Sequence, residues 1–210
     1  MNKLGDLSCN EFLTELASAA PAPGGGGGAA MAGALAAALA SMVANLTIGK
    51  EKFADREPEV KELLEQAEAE RVRLLTLVDE DAAVFNSFMS CYKLPKTTDE
   101  EKAARTAAIR AAAKQAATVP LNIARSSFAV LKLADRLVVS GNPGVITDAA
   151  CSGLLARAAL RCAEYNVRIN LGLTKDEVWN AQAAADLKKL LADAEALETR
   201  LLAVTDKALQ

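Results

Sequence analysis

The sequence contains no histidine, and this absence excludes several kinds of catalytic site. A Ser-His-Asp triad, a Cys-His pair and any metal site with a histidine ligand all require the missing imidazole. Acid–base chemistry in this chain must therefore use Asp, Glu, Lys, Tyr or Cys.

The chain also has few aromatic residues, no CxxC cysteine pair and no net positive charge. Two Tyr, one Trp and five Phe make up 4% of its 210 residues, so aromatic packing cannot dominate a core. The four cysteines are scattered without a CxxC pair and no signal-peptide-like start is present, which predicts reduced thiols in the cytoplasm. The net charge of −3 lacks the basic field that nucleic acid binding needs, so we expect no nucleic acid partner.

Ala, Leu and Val are abundant and recur at helical spacing. With 51% hydrophobic and 24% charged residues, the chain can bury one core, which predicts a single domain over residues 1–210. We expect an all-α bundle of long antiparallel helices. Capping patterns and first-turn prolines predict helix starts at Ser8, Pro58, Thr98, about Thr147, and Thr174. Breaks or kinks are predicted at 21–28, 93–96, Pro120 and 140–144.

The run from Ala29 to Ile48 is uncharged and long enough to span a membrane. It is mostly Ala, however, and it lacks both an aromatic belt and a basic flank on its N-terminal side. Small side chains allow neighbouring helices to approach closely. We therefore favour a buried central helix, in a bundle or a subunit interface, and expect no membrane association.

A run of five glycines, Gly24 to Gly28, immediately precedes this helix. Its backbone N–H groups and the helix N-terminus could bind an anion or a carbonyl group. The run matches neither the dinucleotide fingerprint nor the Walker pattern. A flexible turn between antiparallel helices is the alternative interpretation, and the residues alone do not decide between the two.

Three consecutive acids, Asp79, Glu80 and Asp81, lie inside a predicted long helix and spread over different faces. At least one should face a partner or a pocket. Asp81 shares a face with Phe85, which places its carboxylate beside the apolar stripe; a solvated acidic face is the alternative. A fourth acid, Asp148, falls in a first helical turn, where capping explains it equally well.

Lysines and asparagines supply the remaining candidates. Lys50, Lys93 and Lys96 lie at predicted breaks between helices, which suits a carboxylated ligand but also describes ordinary surface lysines. Asn166 and Asn170 share one helix face. Buried amides need hydrogen-bond partners, which a polar heterocycle or a neighbouring helix could provide.

Several stretches taken together resemble the cyclodeaminase/cyclohydrolase family, which includes formiminotetrahydrofolate cyclodeaminase domains and small methenyltetrahydrofolate cyclohydrolases. The similar stretches span nearly the whole chain. They are "FLTELASAAPAPGGGGGAAMAGALAAALASMVANLTIGKEKF", "YKLPKTTDEEKAARTAAIRAA", "VPLNIA" and "SGNPGVITDAACSGLLARAALRCAEYNVRINL". Many members have Ser where this chain has Gly27, so any role of that hydroxyl is missing here or filled elsewhere.

The resemblance implies an all-helical subunit that forms a homodimer and binds a folate near the glycine run and the faces of the long helices. Within the family, the quoted stretches are most similar to the small bacterial cyclohydrolases, which interconvert 5,10-methenyl- and 10-formyltetrahydrofolate. A formiminotetrahydrofolate cyclodeaminase, which releases ammonia, is the alternative within the family, and a noncatalytic helical interaction protein is the alternative outside it. The substrate-binding candidates are Pro23, Gly24, Gly25, Gly26, Gly27, Asn45, Lys93, Lys96, Asn142, Asn166 and Asn170.

The chemistry of the implied substrate narrows the catalytic candidates. A methenyl bridge carbon is already cationic, so an enzyme needs to position water, accept its proton and protonate the departing ring nitrogen. We expect neither a metal nor a cofactor, since the folate is the substrate. Asp81 or Asp148 is the candidate base or proton relay, and Lys50 is the candidate acid or ligand for the glutamate tail.

Overall fold

The computed structural model describes residues 3–210, and these form helices and short connections without a β-strand. The prediction of an all-α fold is therefore confirmed. Short 3₁₀ turns lie at Leu4–Asp6, Glu51–Phe53 and Pro143–Val145. The six α-helices are α1 (Cys9–Leu16), α2 (Gly25–Asn45), α3 (Glu57–Cys91), α4 (Asp99–Ser140), α5 (Ile146–Thr174) and α6 (Glu177–Ala208).

Capping side chains set two of the predicted helix starts. At α1 the hydroxyl of Ser8 accepts from the Glu11 amide, and the Glu11 carboxylate accepts from the Ser8 amide at 2.9 Å. At α4 the pair Thr98 and Glu101 repeats this reciprocal arrangement. Each box satisfies amides that have no partner inside the helix, so both capping predictions are confirmed.

The predicted break over residues 21–28 is wrong in its second half, because α2 already begins at Gly25. Glycine is a poor helix former, yet here it allows other groups to approach the helix backbone. A Cβ atom at Gly33, for example, would lie 3.0 Å from a methyl carbon of Leu74. Tight packing of this kind offsets the low helix propensity of glycine at this position of α2.

Two further boundaries are decided by the structure. Of the two alternatives predicted at Pro120, a helix end or a kink, the helix end is wrong, because α4 continues through Pro120 to Ser140 as one element. At α6 the N-cap is Asp176, whose carboxylate accepts from the Trp179 amide at 3.0 Å, and Thr174 instead belongs to the last turn of α5. Both Asp176 and Thr174 are capping residue types, so the local sequence alone did not select between them.

Helix α2 lies at the centre of the bundle, between α3, α4 and α5. Twelve of its residues are buried, and the Ser152 hydroxyl of α5 donates to the Ala36 carbonyl at 2.7 Å. Within residues 3–210, α2 is the one helix long and apolar enough to cross a membrane, and 61% of its most apolar window is buried inside the protein. A central helix in the bundle core is what the sequence predicted.

Short connections make successive long helices antiparallel, and this places the chain's features at two ends of the bundle. The glycine end, defined by Gly24–Gly27, also contains the C-terminal halves of α3 and α5. The distal end contains the connections 46–56 and 141–145, which meet where the Asn142 amide donates to the Thr47 hydroxyl at 2.9 Å.

Candidate active site

A cavity of about 340 Å³ opens at the glycine end, between the start of α2 and the faces of α3, α4 and α5. Its volume suits a small flat molecule or the ring system of a larger one. Most of its wall is apolar or glycine backbone. The lining residues from α3, α4 and α5 are Asp81, Val84, Phe85, Phe88, Ala116, Val119, Asn166, Ile169, Asn170 and Leu173, and those from the glycine end are Pro21, Ala22, Gly24, Gly25 and Gly26.

The carboxylate of Asp81 lies directly against the backbone of Gly26. A Cβ atom built on Gly26 would lie 2.6 Å from Cγ of Asp81, which is closer than nonbonded atoms approach. Only glycine leaves room for the carboxylate at this point. The glycine run is therefore not a flexible turn: it is the first turn of a helix against which an acidic side chain packs.

Burial raises the pKa of Asp81 above its ordinary value, and this is the dominant influence on the group. The backbone amide of Gly27 acts in the opposite direction, because a hydrogen bond to the carboxylate stabilises its charged form. Among residues 3–210, no other ionisable residue lines the cavity. A carboxyl group with a raised pKa in an apolar cleft is a typical general acid or base.

The neighbouring acids have structural partners that explain them. Asp79 accepts from the Leu4 amide at 2.6 Å and so anchors the N-terminal segment to α3. Glu80 forms an ion pair with Arg73 at 2.7 Å on the outer face. Of the three consecutive acids, Asp81 is the one that faces the pocket predicted from the sequence.

The first turn of α2 also supplies hydrogen-bond donors. The first backbone bond of the helix joins the Gly28 amide to the Gly24 carbonyl at 2.9 Å. The amides of Gly25, Gly26 and Gly27 therefore precede the helical ladder, and Gly24 has no side chain to cap them. Gly25 and Gly26 line the cavity, so their end of the helix is suited to a carbonyl or an anionic oxygen.

Two asparagines of α5 complete the polar part of the wall. The Asn166 side-chain amide donates to the Cys162 carbonyl at 2.9 Å, and that of Asn170 donates to the Ala116 carbonyl of α4 at 2.9 Å. The helix–helix bond considered from the sequence therefore exists at Asn170. In both residues the hydrogen bond engages the amide nitrogen, so each side chain retains an oxygen that can accept a hydrogen bond.

The structure brings together Asp81, Gly24, Gly25, Gly26, Asn166 and Asn170. Pro23 and Gly27 lie immediately behind the wall, where both are buried. Lys93 and Lys96 are exposed on the connection between α3 and α4, beyond the cavity residue Phe88. Their predicted contact with a ligand tail stays a prediction.

The remaining candidates lie at the distal end. Helix α2 is about 30 Å long, so Asn45 at its last residue and the following Lys50 are far from the cavity of the same chain. Asp148 precedes Asn166 by about 27 Å along α5. Asn142 donates to the Leu46 carbonyl at 3.1 Å and links two connections. Within one chain these four residues do not share a pocket with Asp81, and their predicted roles stay predictions.

Sequence reasoning missed most of the apolar wall. Phe85 was recognised only as a member of a helical stripe, and Phe88, Val119, Ile169 and Leu173 were not named as site residues. Ile169 and Leu173 share the helical spacing of Asn166 and Asn170, which is a signal that could have identified them. Among the described residues, no group of three Cys, Asp or Glu side chains is placed to hold a metal ion.

The fold and the cavity define a helical bundle with a site for a flat ligand that offers hydrogen-bond donors or positive charge. Comparison with known proteins identifies the family: residues 8–189 match the formiminotransferase-cyclodeaminase family model. The chain belongs to this family.

Individual relatives agree with this assignment. The chain is 45% identical to the methenyltetrahydrofolate cyclohydrolase of Methylorubrum extorquens, over 94% of this chain and 95% of that protein. It is 33% identical to the formimidoyltransferase-cyclodeaminase of Sus scrofa, where it spans 34% of that longer protein. A crystal structure of formiminotetrahydrofolate cyclodeaminase from Thermotoga maritima has the same fold, with a TM-score of 0.88, 30% identity and 98% of both chains covered.

The contact between Gly26 and Asp81 predicts that Gly26→Ala destabilises the protein. The added methyl group must displace the carboxylate or the helix, which we expect to cost about 1–3 kcal/mol of unfolding free energy. Gly28→Ala is the matched control, because its Cβ would lie 3.9 Å from Leu16, an ordinary contact. It should be neutral or stabilise by up to about 1 kcal/mol. Urea unfolding measures both, and equal effects of the two substitutions would contradict the packing described.

The raised pKa of Asp81 predicts a pH-dependent stability difference between the wild type and Asp81→Asn. The folded state binds the Asp81 proton more tightly than the unfolded state, whose carboxyl has a pKa near 3.8. The unfolding free energy of the wild type must therefore fall, relative to the variant, as the pH rises from 3.8 through the folded-state pKa. In urea unfolding between about pH 4 and about pH 8, the unfolding free energy of the wild type minus that of the variant should decrease and then level off. An increase in this difference with rising pH would mean that the pKa is lowered.

Proposed function

We propose that this protein is a methenyltetrahydrofolate cyclohydrolase, which adds water to 5,10-methenyltetrahydrofolate and opens its ring to 10-formyltetrahydrofolate. The observation that supports this most directly is the position of Asp81 as the one ionisable group of the cavity wall within residues 3–210. The substrate is cationic at its bridge carbon, and a carboxylate in an apolar pocket attracts such a cation strongly.

The polar groups around Asp81 match the pterin ring. A pterin presents amino and ring N–H donors together with one carbonyl oxygen. The side-chain oxygens of Asn166 and Asn170 are available as acceptors for the donors, and the amides at the start of α2 are available for the carbonyl. Phe85 and Phe88 provide apolar surface against which a flat ring can pack.

Asp81 is suited to both proton transfers of the reaction. As a carboxylate it accepts a proton from the water that attacks the bridge carbon, which gives a neutral hydroxylated adduct. As a carboxylic acid it then returns that proton to ring nitrogen N5 as the bond from the bridge carbon to N5 breaks. The adduct's hydroxyl proton leaves as the formyl C=O forms on N10, so the overall reaction consumes one water and releases one proton.

A raised pKa helps each of these steps. It makes the Asp81 carboxylate a stronger base than an exposed aspartate, and it makes the protonated form easier to regenerate near neutral pH. The steps need no cofactor, and the folate derivative itself is the substrate. We therefore propose a reaction that uses side chains and water alone.

Similarity to known proteins favours hydrolysis over deamination as the proposed reaction. The cyclohydrolase relative is matched along 95% of its length, whereas the Sus scrofa enzyme with cyclodeaminase in its name is matched along 34%. We also propose that the protein acts in the cytoplasm, which is supported by its four free thiols in residues 3–210.

The activity is tested by following the near-ultraviolet absorbance of 5,10-methenyltetrahydrofolate, which disappears on hydrolysis. We expect acceleration over the spontaneous rate, and no ammonia release from 5-formiminotetrahydrofolate. Asp81→Asn should lower kcat by about two orders of magnitude, because the general base is lost. Glu80→Gln, which removes the adjacent acid on the outer face, is the matched control and should retain activity.

The pH profile sharpens this test. In the free enzyme burial raises the pKa of Asp81, whereas a bound cation favours the carboxylate and lowers it. The acidic limb of kcat/KM should therefore lie at higher pH than the acidic limb of kcat. If the wild-type protein does not accelerate the hydrolysis of 5,10-methenyltetrahydrofolate, the proposed reaction is refuted. If a folded Asp81→Asn variant has unchanged turnover, the proposed role of Asp81 is refuted.

A homodimer is the proposed quaternary state, and exposed apolar side chains on two adjoining helices support it. Helix α2 contains no charged residue, yet Leu35 and Met42 are 51% and 42% exposed on its outer face. On the adjoining helix α5, Leu154 and Tyr165 are 43% and 58% exposed. A stretch of each helix about 30 Å long and about 10 Å wide presents, for the two helices together, roughly 600 Å² per subunit, close to the ~800 Å² of a standard interface. A second copy of the chain would cover this surface.

Light scattering after size exclusion should therefore show a dimer at micromolar concentration. Leu35→Glu places a charge in the centre of the surface and should shift the protein to monomer by at least tenfold in dissociation constant. Val178→Glu alters an equally apolar, 84% exposed side chain on α6 and should leave the dimer intact. A monomeric wild type, or a Leu35→Glu variant that dimerises normally, would contradict this interface.

A further inference from the structure

Pro120 lies in the middle of α4, where it cannot form the usual backbone hydrogen bond. Proline has no N–H group, so the carbonyl four residues earlier, that of Ala116, lacks its helical partner. The Asn170 side chain of α5 fills this vacancy by donating to the Ala116 oxygen at 2.9 Å. A proline in one helix thus creates the docking point for an amide on another.

This docking fixes which end of the Asn170 amide faces the cavity. Its nitrogen donates to the Ala116 carbonyl and also to the Asn166 carbonyl at 2.8 Å. Both partners are pure acceptors, so the NH₂ group must face them and the oxygen must face the other way. Asn170 and Ala116 both line the cavity, and no described residue donates to the Asn170 oxygen.

We propose that Pro120 is a positioning residue: by leaving the Ala116 carbonyl to Asn170, it holds the Asn170 oxygen as an acceptor for an N–H donor of the bound pterin. This inference rests on the proposed function for the identity of the ligand. It explains why a helix tolerates proline at this depth, since the lost backbone bond is replaced by a side-chain bond that orients a binding group. A freely rotating amide would present its donor and its acceptor equally and would not discriminate.

The substitution Pro120→Ala separates this role from a purely structural one. Alanine restores a backbone N–H that competes with Asn170 for the Ala116 carbonyl, and it is also the better helix former. We expect the melting temperature to be unchanged or higher while KM for 5,10-methenyltetrahydrofolate rises about five- to tenfold, with kcat changed less than about threefold. If Pro120 had a purely structural role, Pro120→Ala would instead lower the melting temperature and leave KM of the folded fraction unchanged.

Two further variants keep the inference testable if Pro120→Ala folds poorly. Asn170→Ala should raise KM by a similar factor, and the Pro120→Ala/Asn170→Ala double variant should show no additional rise, because both changes remove one unit. Pro58→Ala, in the first turn of α3 at the distal end, is the control and should leave KM unchanged.

The result that overturns the inference is a folded Pro120→Ala variant with the KM of the wild type, or fully multiplicative effects in the double variant. Calorimetry measures the binding of 5-formyltetrahydrofolate to the same variants. This compound contains the pterin donors but is not the hydrolysed substrate. A wild type that binds this compound without hydrolysing the methenyl substrate would refute the proposed reaction alone. Loss of that binding in Pro120→Ala would then still support the inference.

Discussion

The site depends on one steric constraint: a carboxylate occupies the space that a side chain on Gly26 would fill. Asp81 can reach the N-terminus of α2 only because the first turn of that helix is glycine. Burial there raises the pKa of Asp81, while the nearby Gly27 amide keeps the carboxylate form accessible. The glycine run, the acidic residue and the apolar cavity are therefore one arrangement in which each part requires the others.

The electrostatics of the cavity follow from what surrounds this contact. Within residues 3–210, Asp81 is the one charged residue of the wall, and the two asparagines have their nitrogens engaged by backbone carbonyls. The wall therefore offers negative charge and acceptors on one side and the glycine amides on another. This distribution favours a cationic ring system with N–H donors, and it disfavours an anionic group near Asp81. This preference agrees with the proposed substrate, whose bridge carbon is cationic.

Much of the fold could be predicted from the sequence, because helix starts and apolar periodicity are local properties. The capping boxes at Ser8 and Thr98 and the break at 140–144 appear where they were expected. The differences arose where tertiary contacts act against local preference. Asp81 packs against the first turn of α2 at Gly26, where a break was predicted. At Pro120, where a helix end or a kink was predicted, Asn170 replaces the lost helical hydrogen bond.

The candidate site was predictable in part for the same reason. Asp81 was identified by its place beside an apolar stripe, and Asn166 with Asn170 by their shared helix face. Sequence spacing could not show that Asp148, Lys50, Asn45 and Asn142 lie about 30 Å away at the distal end, since that depends on the direction in which each helix runs. The apolar wall was missed because valine, isoleucine and leucine have the same appearance in a core and in a cleft.

The most direct test of this account is a carbon-13 NMR titration of the Asp81 carboxyl group, assigned by comparison with Asp81→Asn, with and without bound 5,10-methenyltetrahydrofolate. The account predicts a pKa above 3.8 in the free protein, and a lower pKa when the cationic ring is bound. An Asp81 pKa at or below 3.8 in the free protein, or one that the ligand leaves unchanged, would contradict the account.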